Sequence, residues 1–167
     1  GGDIALHLMP GETLRIGLYA DLARLDAREI QNGVNVDGQF EITSALPVRG
    51  VATSGWRGRS FSLGIADSVT VLARTASEAD AAASIIANAV NVNDQSIKRR
   101  PAWDVKDDSD LGELPVTVDV PRLTRKNVHV ALRAGHAKAE ELRAAGLIWS
   151  AVLVCQGQVL TSQRENT

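Results

Sequence analysis

The stretch SEADAAASIIANAV (Ser77–Val90) most constrains the fold, because its composition predicts an α-helix. Ser77 is a good N-cap residue, and Asp80 follows three positions later, where a capping box usually has Glu. The many alanines predict that this helix packs closely against another element. The preceding stretch, Leu63–Arg74, has the composition of a strand, so we expect a strand to lead directly into the helix.

Further strands and a second long helix are predicted elsewhere in the chain. Thr124 caps a helix that runs to about Ala145, and Gly146 suits the position after its C-terminal cap. Residues 94–113 are polar, and their acidic run fits a calcium loop poorly, which favours a solvated loop. The predicted strands are Ile4–Leu8, Leu14–Leu18 and Leu114–Val120. A hairpin is predicted over Val34–Ile42 about Asp37-Gly38, and a terminal strand or hairpin over Ile148–Leu160 about Gln156-Gly157. Together these elements predict an α+β domain.

The composition excludes several classes of protein. A chain of 167 residues is long enough for one domain with a buried core. The formal net charge of −2 argues against a nucleic-acid-binding protein. No apolar run approaches the roughly 20 residues that span a membrane, and we expect a cytoplasmic location. The single cysteine, Cys155, excludes an internal disulfide and lies in an apolar run that predicts a buried thiol.

Gly1, Gly2 and Asp3 form the first candidate ligand-binding element. Two glycines let a backbone approach a ligand closely, and the acid beside them could bind a ribose hydroxyl or a cation. The alternative is a turn that leads into the strand predicted over Ile4–Leu8.

A second candidate site lies in residues 49–62, where small residues predict a loop. The run Thr53-Ser54-Gly55 has the hydroxyls and backbone N–H groups that suit an anion or phosphate, and Arg57 adds positive charge. Trp56 could stack on a planar ligand or cover the core. Thr53 and Ser54 are therefore candidate catalytic residues, with Gly55, Trp56 and Arg57 as ligand-binding residues.

Two further places combine acids with hydroxyls. Asp67 lies in an otherwise apolar strand, and a buried acid is expected to be paired or ligating, so we include it among the candidate catalytic residues. Asp80 and Ser84 stand at i and i+4 on one helical face, where their oxygens suit magnesium. The alternatives are a hydrogen-bonded structural role for Asp67 and a capping-box role for Asp80.

Taken in order, GGDIAL, ATSGW, DSVTVLA and EADAAASIIAN resemble the FAD:protein FMN transferase (ApbE-type) superfamily. That family has a Gly-Gly-Asp strand, a Thr-Ser-Gly loop, a Ser-Val-Thr-Val strand and a helix of the form Ala-Asp-Ala-x-Ala-Thr. The likeness is greatest to an uncharacterised ApbE-like branch, and it covers at least residues 1–93. The four motifs are individually weak, but their order and spacing together are fairly specific.

The resemblance implies an ApbE-like, T-fold-related antiparallel sheet with two long helices, a flavin-dinucleotide cleft and a magnesium site. Gly1, Gly2 and Asp3 would match the Gly-Gly-Asp element. Asp80 would match the metal-binding aspartate, and Ser84 stands where the family usually has a metal-binding threonine. The implied cofactors are magnesium and FAD or FMN, although a site without either is an equal alternative.

One departure from the family concerns the reaction. The transferases have a His-x-x-Asp-Pro segment after the Thr-Ser-Gly loop, whereas residues 57–66 here contain neither histidine nor Asp-Pro. FMN transfer is therefore disfavoured, and hydrolysis or another group transfer on a small molecule is the leading hypothesis. A non-catalytic flavin- or nucleotide-binding module is the alternative.

Family members usually carry further chain before the Gly-Gly-Asp element. We therefore expect residues 1–167 to be the C-terminal portion of the fold, with Gly1 arising by cleavage and a companion N-terminal fragment of the same precursor as partner. An oligomer and a small-molecule ligand are also expected, and no nucleic acid or membrane.

Overall fold

The structure is a computed structural model, and it describes residues 2–18 and 38–163. The strands and helices in chain order are β1 (Ile4–Ala5), β2 (Thr13–Leu18), β3 (Gly38–Thr43), β4 (Gly50–Ser54), β5 (Ser68–Ala73), α1 (Ala76–Ala89), β6 (Lys98–Pro101), α2 (Ala102–Val105), β7 (Pro115–Asp119), α3 (Arg125–Ala144), β8 (Ser150–Cys155) and β9 (Gln158–Ser162). No helix in these described ranges is long and apolar enough to cross a membrane.

The main sheet is antiparallel and has the strand order β1-β4-β5-β8-β9. Its register pairs Thr53 with Thr70 across β4 and β5, and Thr70 with Val152 across β5 and β8. Two smaller antiparallel pairs, β2-β3 and β6-β7, accompany it. The α+β class predicted from the sequence is confirmed, including the antiparallel sheet and its two long helices α1 and α3.

The central strand β5 is buried along its whole length because both faces of the sheet are covered. Val69 and Val71 belong to the larger core cluster, which packs against α1 and α3. Leu72 points to the other face, where it joins a smaller cluster with Ile42 of the β2-β3 pair. This two-sided burial explains why the stretch SVTVLA lacks the polar alternation of a strand with one solvated face.

Several predicted boundaries are wrong. Residues 49–62 were expected to form a loop, but residues 50–54 are strand β4. The strand expected from residue 63 starts only at residue 68. Only the first two residues of the strand predicted over residues 4–8 pair with β4. Residues 94–113 contain β6 and α2 rather than a continuous loop.

The first long helix begins earlier than predicted. Its N-cap is Thr75, whose hydroxyl accepts a hydrogen bond from the N–H of Glu78 at 3.1 Å. Ser77 is therefore the second residue of the helix rather than its cap, and Asp80 does not belong to a capping box. Thr75 and Glu78 match the preferred Thr-x-x-Glu pattern better, which is the local reason for the earlier start.

The other helix and the C-terminal hairpin are confirmed. Thr124 caps α3 by accepting from the N–H of Asn127, and Gly146 follows the helix with a φ of +73°. The turn between β8 and β9 is Gln156-Gly157, as predicted. The turn predicted at Asp37-Gly38 is wrong at Gly38, which is the first residue of β3 and pairs with residue 18. Residues 34–37 lie outside the described ranges.

Candidate functional site

One end of the main sheet brings together three segments that the sequence singled out. β4 ends here at Ser54, and β5 begins here at Ser68. The N–H of Asp67 donates to the carbonyl of Val154 at 2.9 Å, which extends the pairing toward the β8-β9 turn. Residues 54–57, 67–68 and 156–157 therefore lie at the same end, which we name the Asp67 end of the sheet.

Asp67 is held through both carboxylate oxygens. Its Oδ2 accepts a hydrogen bond from the N–H of Gln156 at 2.5 Å, and its Oδ1 lies 3.2 Å from Nε of Arg57. The Asp67 side chain is 12% exposed, whereas that of Arg57 is 44% exposed. The expectation that this acid is paired is confirmed. The two contacts fix the orientation of the Asp67 carboxylate.

Gln156 connects Asp67 to the segment before α3. Its φ of +45° and the φ of +78° at Gly157 place both turn residues in the left-handed region, as a two-residue type I′ hairpin turn requires. Its side chain accepts from the N–H of Leu123 at 2.9 Å and donates to the carbonyl of Pro121 at 2.7 Å. A shorter Asn, which this turn type favours, would not offer the same reach.

The loop that leaves β4 packs tightly against the segment that enters β5. The N–H of Trp56 donates to the carbonyl of Ala66 at 3.0 Å. A Cβ at Gly55 would lie 2.5 Å from the carbonyl oxygen of Asp67, so no larger residue fits there without movement. Close backbone packing therefore explains why glycine occupies the third position of the Thr-Ser-Gly run in this chain.

Trp56 covers the core, which is one of its two predicted roles. Its side chain packs against the larger core cluster, and the guanidinium of Arg57 lies 5.2 Å from the ring centroid. Its buried Nε1 has no hydrogen-bond partner among the described residues. The ring is thus held between apolar side chains and Arg57.

The two hydroxyl residues of the Thr-Ser-Gly run lie on opposite faces of β4. The hydroxyls of Thr53 and Thr70 are hydrogen-bonded to each other at 2.9 Å. This pair lies on the same face as Val51 and Leu72, which belong to the smaller core cluster away from the helices. Ser54 is half-buried on the helix face and makes no side-chain hydrogen bond with any described residue.

The Gly-Gly-Asp element lies on the strand beside β4. Ile4 pairs with Val51 and Ala5 with Gly50, so the antiparallel direction carries Gly2 and Asp3 toward the Asp67 end. Both residues are exposed. Gly1 lies outside the described residues.

Asp80 and Ser84 do not lie at the Asp67 end. A Cβ at Gly50 would touch the carbonyl of Thr75, so α1 begins at the opposite end of β4. Asp80 lies in the second turn of α1, and both Asp80 and Ser84 are exposed. Across residues 2–18 and 38–163, no group of three or more acids, histidines or cysteines could hold a metal. The side chains of Asp80 and Ser84 alone do not complete the octahedral oxygen coordination of magnesium, so we assign magnesium no chemical step.

Cys155 lies directly beneath this end of the sheet. It is buried, as predicted, and its Sγ lies 3.4 Å from the carbonyl oxygen of Ile65. Burial and the negative charge of Asp67 raise the pKa of the thiol to about 12. A thiol with such a pKa is not a nucleophile near neutral pH.

Gln156 and Thr70 were missed as site residues in the sequence. The sequence predicts Gln156 only as part of a turn, although a long amide before glycine is unusual in a two-residue turn. The sequence predicts Thr70 only as part of the strand expected over residues 63–74. Its polar group in an apolar run gave a weak signal of a hydrogen-bonded partner.

Comparison with known proteins gives the family. A family model described as "AbpE bacteria" matches residues 1–161. The chain belongs to this ApbE-related family. The resemblance found in the sequence is thereby confirmed at the level of the family, whereas the likeness to one branch of it stays a prediction.

Archaeal relatives of this ApbE-related chain include several UPF0280 proteins. The relative from Methanopyrus kandleri is 34% identical over 147 residues, which cover 85% of this chain and 56% of the relative. The relative from Methanothermobacter thermautotrophicus is 44% identical over 54% of this chain and 31% of its own length. The relative from Methanospirillum hungatei is 37% identical over 58% of this chain and 35% of its own length. The chain thus spans between about a third and just over half of these relatives. No solved structure gives a significant match.

Proposed function

We propose that this chain forms part of the site of a small-molecule enzyme of the ApbE-related family, and that the reaction is hydrolysis or group transfer. The observation that supports the proposal is the meeting of the Thr-Ser-Gly and Asp-Ser segments at one end of the sheet. The Gly-Gly-Asp element points toward the same end. Residues of all three elements could then contact the same ligand at the Asp67 end of the sheet.

Asp67 would act as the orienting acid of this site. Each carboxylate oxygen has two lone pairs, and the contacts with Arg57 and Gln156 use one on each oxygen. The remaining lone pairs can accept a hydrogen bond from water or from a substrate hydroxyl. Because the carboxylate cannot rotate freely, it would hold that group in a fixed direction, which favours reaction.

Ser54 and Arg57 would supply the other polar contacts. The hydroxyl of Ser54 has no partner in the described part of the chain and can donate to a ligand oxygen. Arg57, which is paired with Asp67, contributes a positive charge at the same end of the sheet, and this charge favours a ligand that carries phosphate or carboxylate. Thr53 would have a positioning role, since its hydroxyl is bonded to that of Thr70 on the face of the sheet opposite to Ser54.

FAD is the most informative probe, because the resemblance implies a flavin dinucleotide. Hydrolysis of its pyrophosphate would consume one water and release FMN and AMP. We would mix the protein with FAD, with and without magnesium, and follow the products by chromatography and binding by calorimetry. FMN and ADP serve as further binding probes.

Matched variants assign the effect to this end of the sheet. We expect Asp67→Asn to lower the rate at least about tenfold, whereas Asp108→Asn removes an exposed carboxylate elsewhere and should leave the rate unchanged. Equal rates in both variants would contradict the role of Asp67. Tight binding of flavin without turnover would favour the non-catalytic module. Absence of flavin affinity in every condition would exclude the flavin as ligand.

A further inference from the structure

A polar helix face beside the main sheet carries an excess of positive charge. The segment 122–133 contains four arginine and lysine residues and no acid. None of these four cations has an ion-pair partner among the described residues. We name the exposed residues of this surface the basic face: Arg122, Arg125, Lys126, His129, Val130 and Arg133.

The basic face opposes the helix dipole. Arg125 and Lys126 lie in the first turn of α3, which contains no acidic residue. The N-terminus of a helix carries a partial positive charge, so cations there are unfavourable in isolation. A negatively charged surface placed against this turn would neutralise both the side chains and the dipole.

Residues 102–114, which we name the acidic lobe, carry an excess of negative charge. This segment contains five acids and one lysine, so its net charge is −4. Backbone hydrogen bonds close it into a compact unit, including those from Ala102 to Leu114 and from Trp103 to Gly112. Four large apolar side chains are exposed on it: Trp103, Val105, Leu111 and Leu114.

An apolar patch surrounded by charge is typical of a protein-binding surface. Trp103 is 46% exposed and Leu114 is 47% exposed. Among the acids around them, Asp108 alone has an ion-pair partner in the described residues, and that partner is Lys106. On the basic face, Val130 is likewise 46% exposed among cations. Each surface therefore offers apolar contact together with charge of one sign.

We propose that the acidic lobe of one copy docks on the basic face of a second copy, and that two such contacts form a twofold dimer. The charges match in number, four net negative against four positive. Seven residues, 115–121, separate the two surfaces along the chain, and five of them form β7, a strand about 16 Å long. Two separated and complementary surfaces on one chain allow a reciprocal contact about a twofold axis.

A nucleic acid fits these surfaces less well than a second copy. The chain has a net charge of −2, so its overall field does not attract a polyanion. The acidic lobe would also repel one. A second copy uses both surfaces at once.

Sedimentation velocity over a range of protein concentrations tests the dimer. The face variant reverses all four cations: Arg122→Glu/Arg125→Glu/Lys126→Glu/Arg133→Glu. The lobe variant is Asp104→Lys/Asp107→Lys/Asp108→Lys/Asp110→Lys. These changes turn the face charge from +4 to −4 and the lobe charge from −4 to +4. We expect each to weaken the dimer at least about tenfold, because like charges then meet at both contacts. Added salt should weaken the wild-type dimer.

A charge swap separates docking from misfolding. A mixture of the face and lobe variants pairs opposite charges at both contacts, so dimers should return. They should also return in the chain that carries all eight substitutions. The control substitutions Arg59→Glu and Asp80→Lys reverse exposed charges elsewhere and should leave the dimer intact. A monomer at all concentrations, a dimer insensitive to both variants, or a failed swap would overturn the proposal. So would a monomer that binds DNA through Arg125 and Arg133.

Discussion

The carboxylate of Asp67 accepts a hydrogen bond from the backbone N–H of Gln156, 89 residues away along the chain, at 2.5 Å. This bond joins the start of β5 to the turn between β8 and β9. The same carboxylate is paired with Arg57 in the loop that follows β4. One acid therefore fixes three segments at the proposed site.

Removal of the Asp67 carboxylate should destabilise the protein. We expect Asp67→Ala to lower the free energy of unfolding by about 2 kcal/mol, because a largely buried charge-assisted hydrogen bond is lost. Asp67→Asn keeps one acceptor and should cost less. Urea denaturation measures both, and Asp108→Asn, at an exposed carboxylate, should stay within about 0.5 kcal/mol of wild type. An Asp67→Ala variant as stable as this control would show that the contact contributes little.

The close approach at Gly55 gives a second prediction. A methyl group there would lie 2.5 Å from the carbonyl of Asp67 and 2.9 Å from that of Ala66. Since both neighbours are backbone atoms, the loop itself must move, and Gly55→Ala should cost about 1–3 kcal/mol. Thermal unfolding of the variant measures this cost.

Gly2→Ala provides the matched control for the substitution at Gly55. An added Cβ at Gly2 meets no atom within 4 Å, so its effect should be small. If both glycine variants unfolded at the same temperature as wild type, the tight packing of the 55–67 loop would be contradicted.

The third prediction compares two candidate N-cap residues at the start of α1. Thr75 caps the helix through its hydroxyl, whereas Ser77 lies within the first turn and is exposed. Thr75→Ala should therefore cost about 1 kcal/mol of stability, and Ser77→Ala much less. Chemical denaturation of the two variants distinguishes the caps. A larger loss for Ser77→Ala would restore the start that the sequence first suggested.

Most of the fold could be predicted from local patterns. Helix α3 has a cap, an apolar stripe and a terminal glycine, so each local signal agrees with the others. Strand β4 could not be identified locally, because small residues such as Ala52 and Gly50 look like loop residues. Only the partners β1 and β5, together with close packing by α1, make that stretch a strand.

The site could be predicted only in part. Sequence patterns single out residues 53–57 and Asp67 as candidates. Their convergence depends on the antiparallel pairing of β4 with β5, and the sequence predicts a loop where β4 lies. The contact between Asp67 and Gln156 depends on the register of β8 against β5, which no local pattern reveals. The exposed position of Asp80 follows from the direction of α1 across the sheet, which is likewise a tertiary property.

The pH dependence of stability gives the last prediction, at Glu140 on α3. Hydrogen bonds from Arg143 and Ser162 lower the pKa of Glu140 from 4.5 to about 2. Because the folded protein binds this proton more weakly than the unfolded chain, the stabilisation is full above about pH 5 and is lost as pH falls toward 2. The unfolding temperatures of wild type and Glu140→Gln should therefore differ most near neutral pH and converge in acid. Glu141→Gln removes an exposed carboxylate from the neighbouring position on the same helix and is measured as the matched control. A difference between wild type and Glu140→Gln that stayed constant from pH 7 to pH 2 would contradict the assignment of the lowered pKa to Glu140.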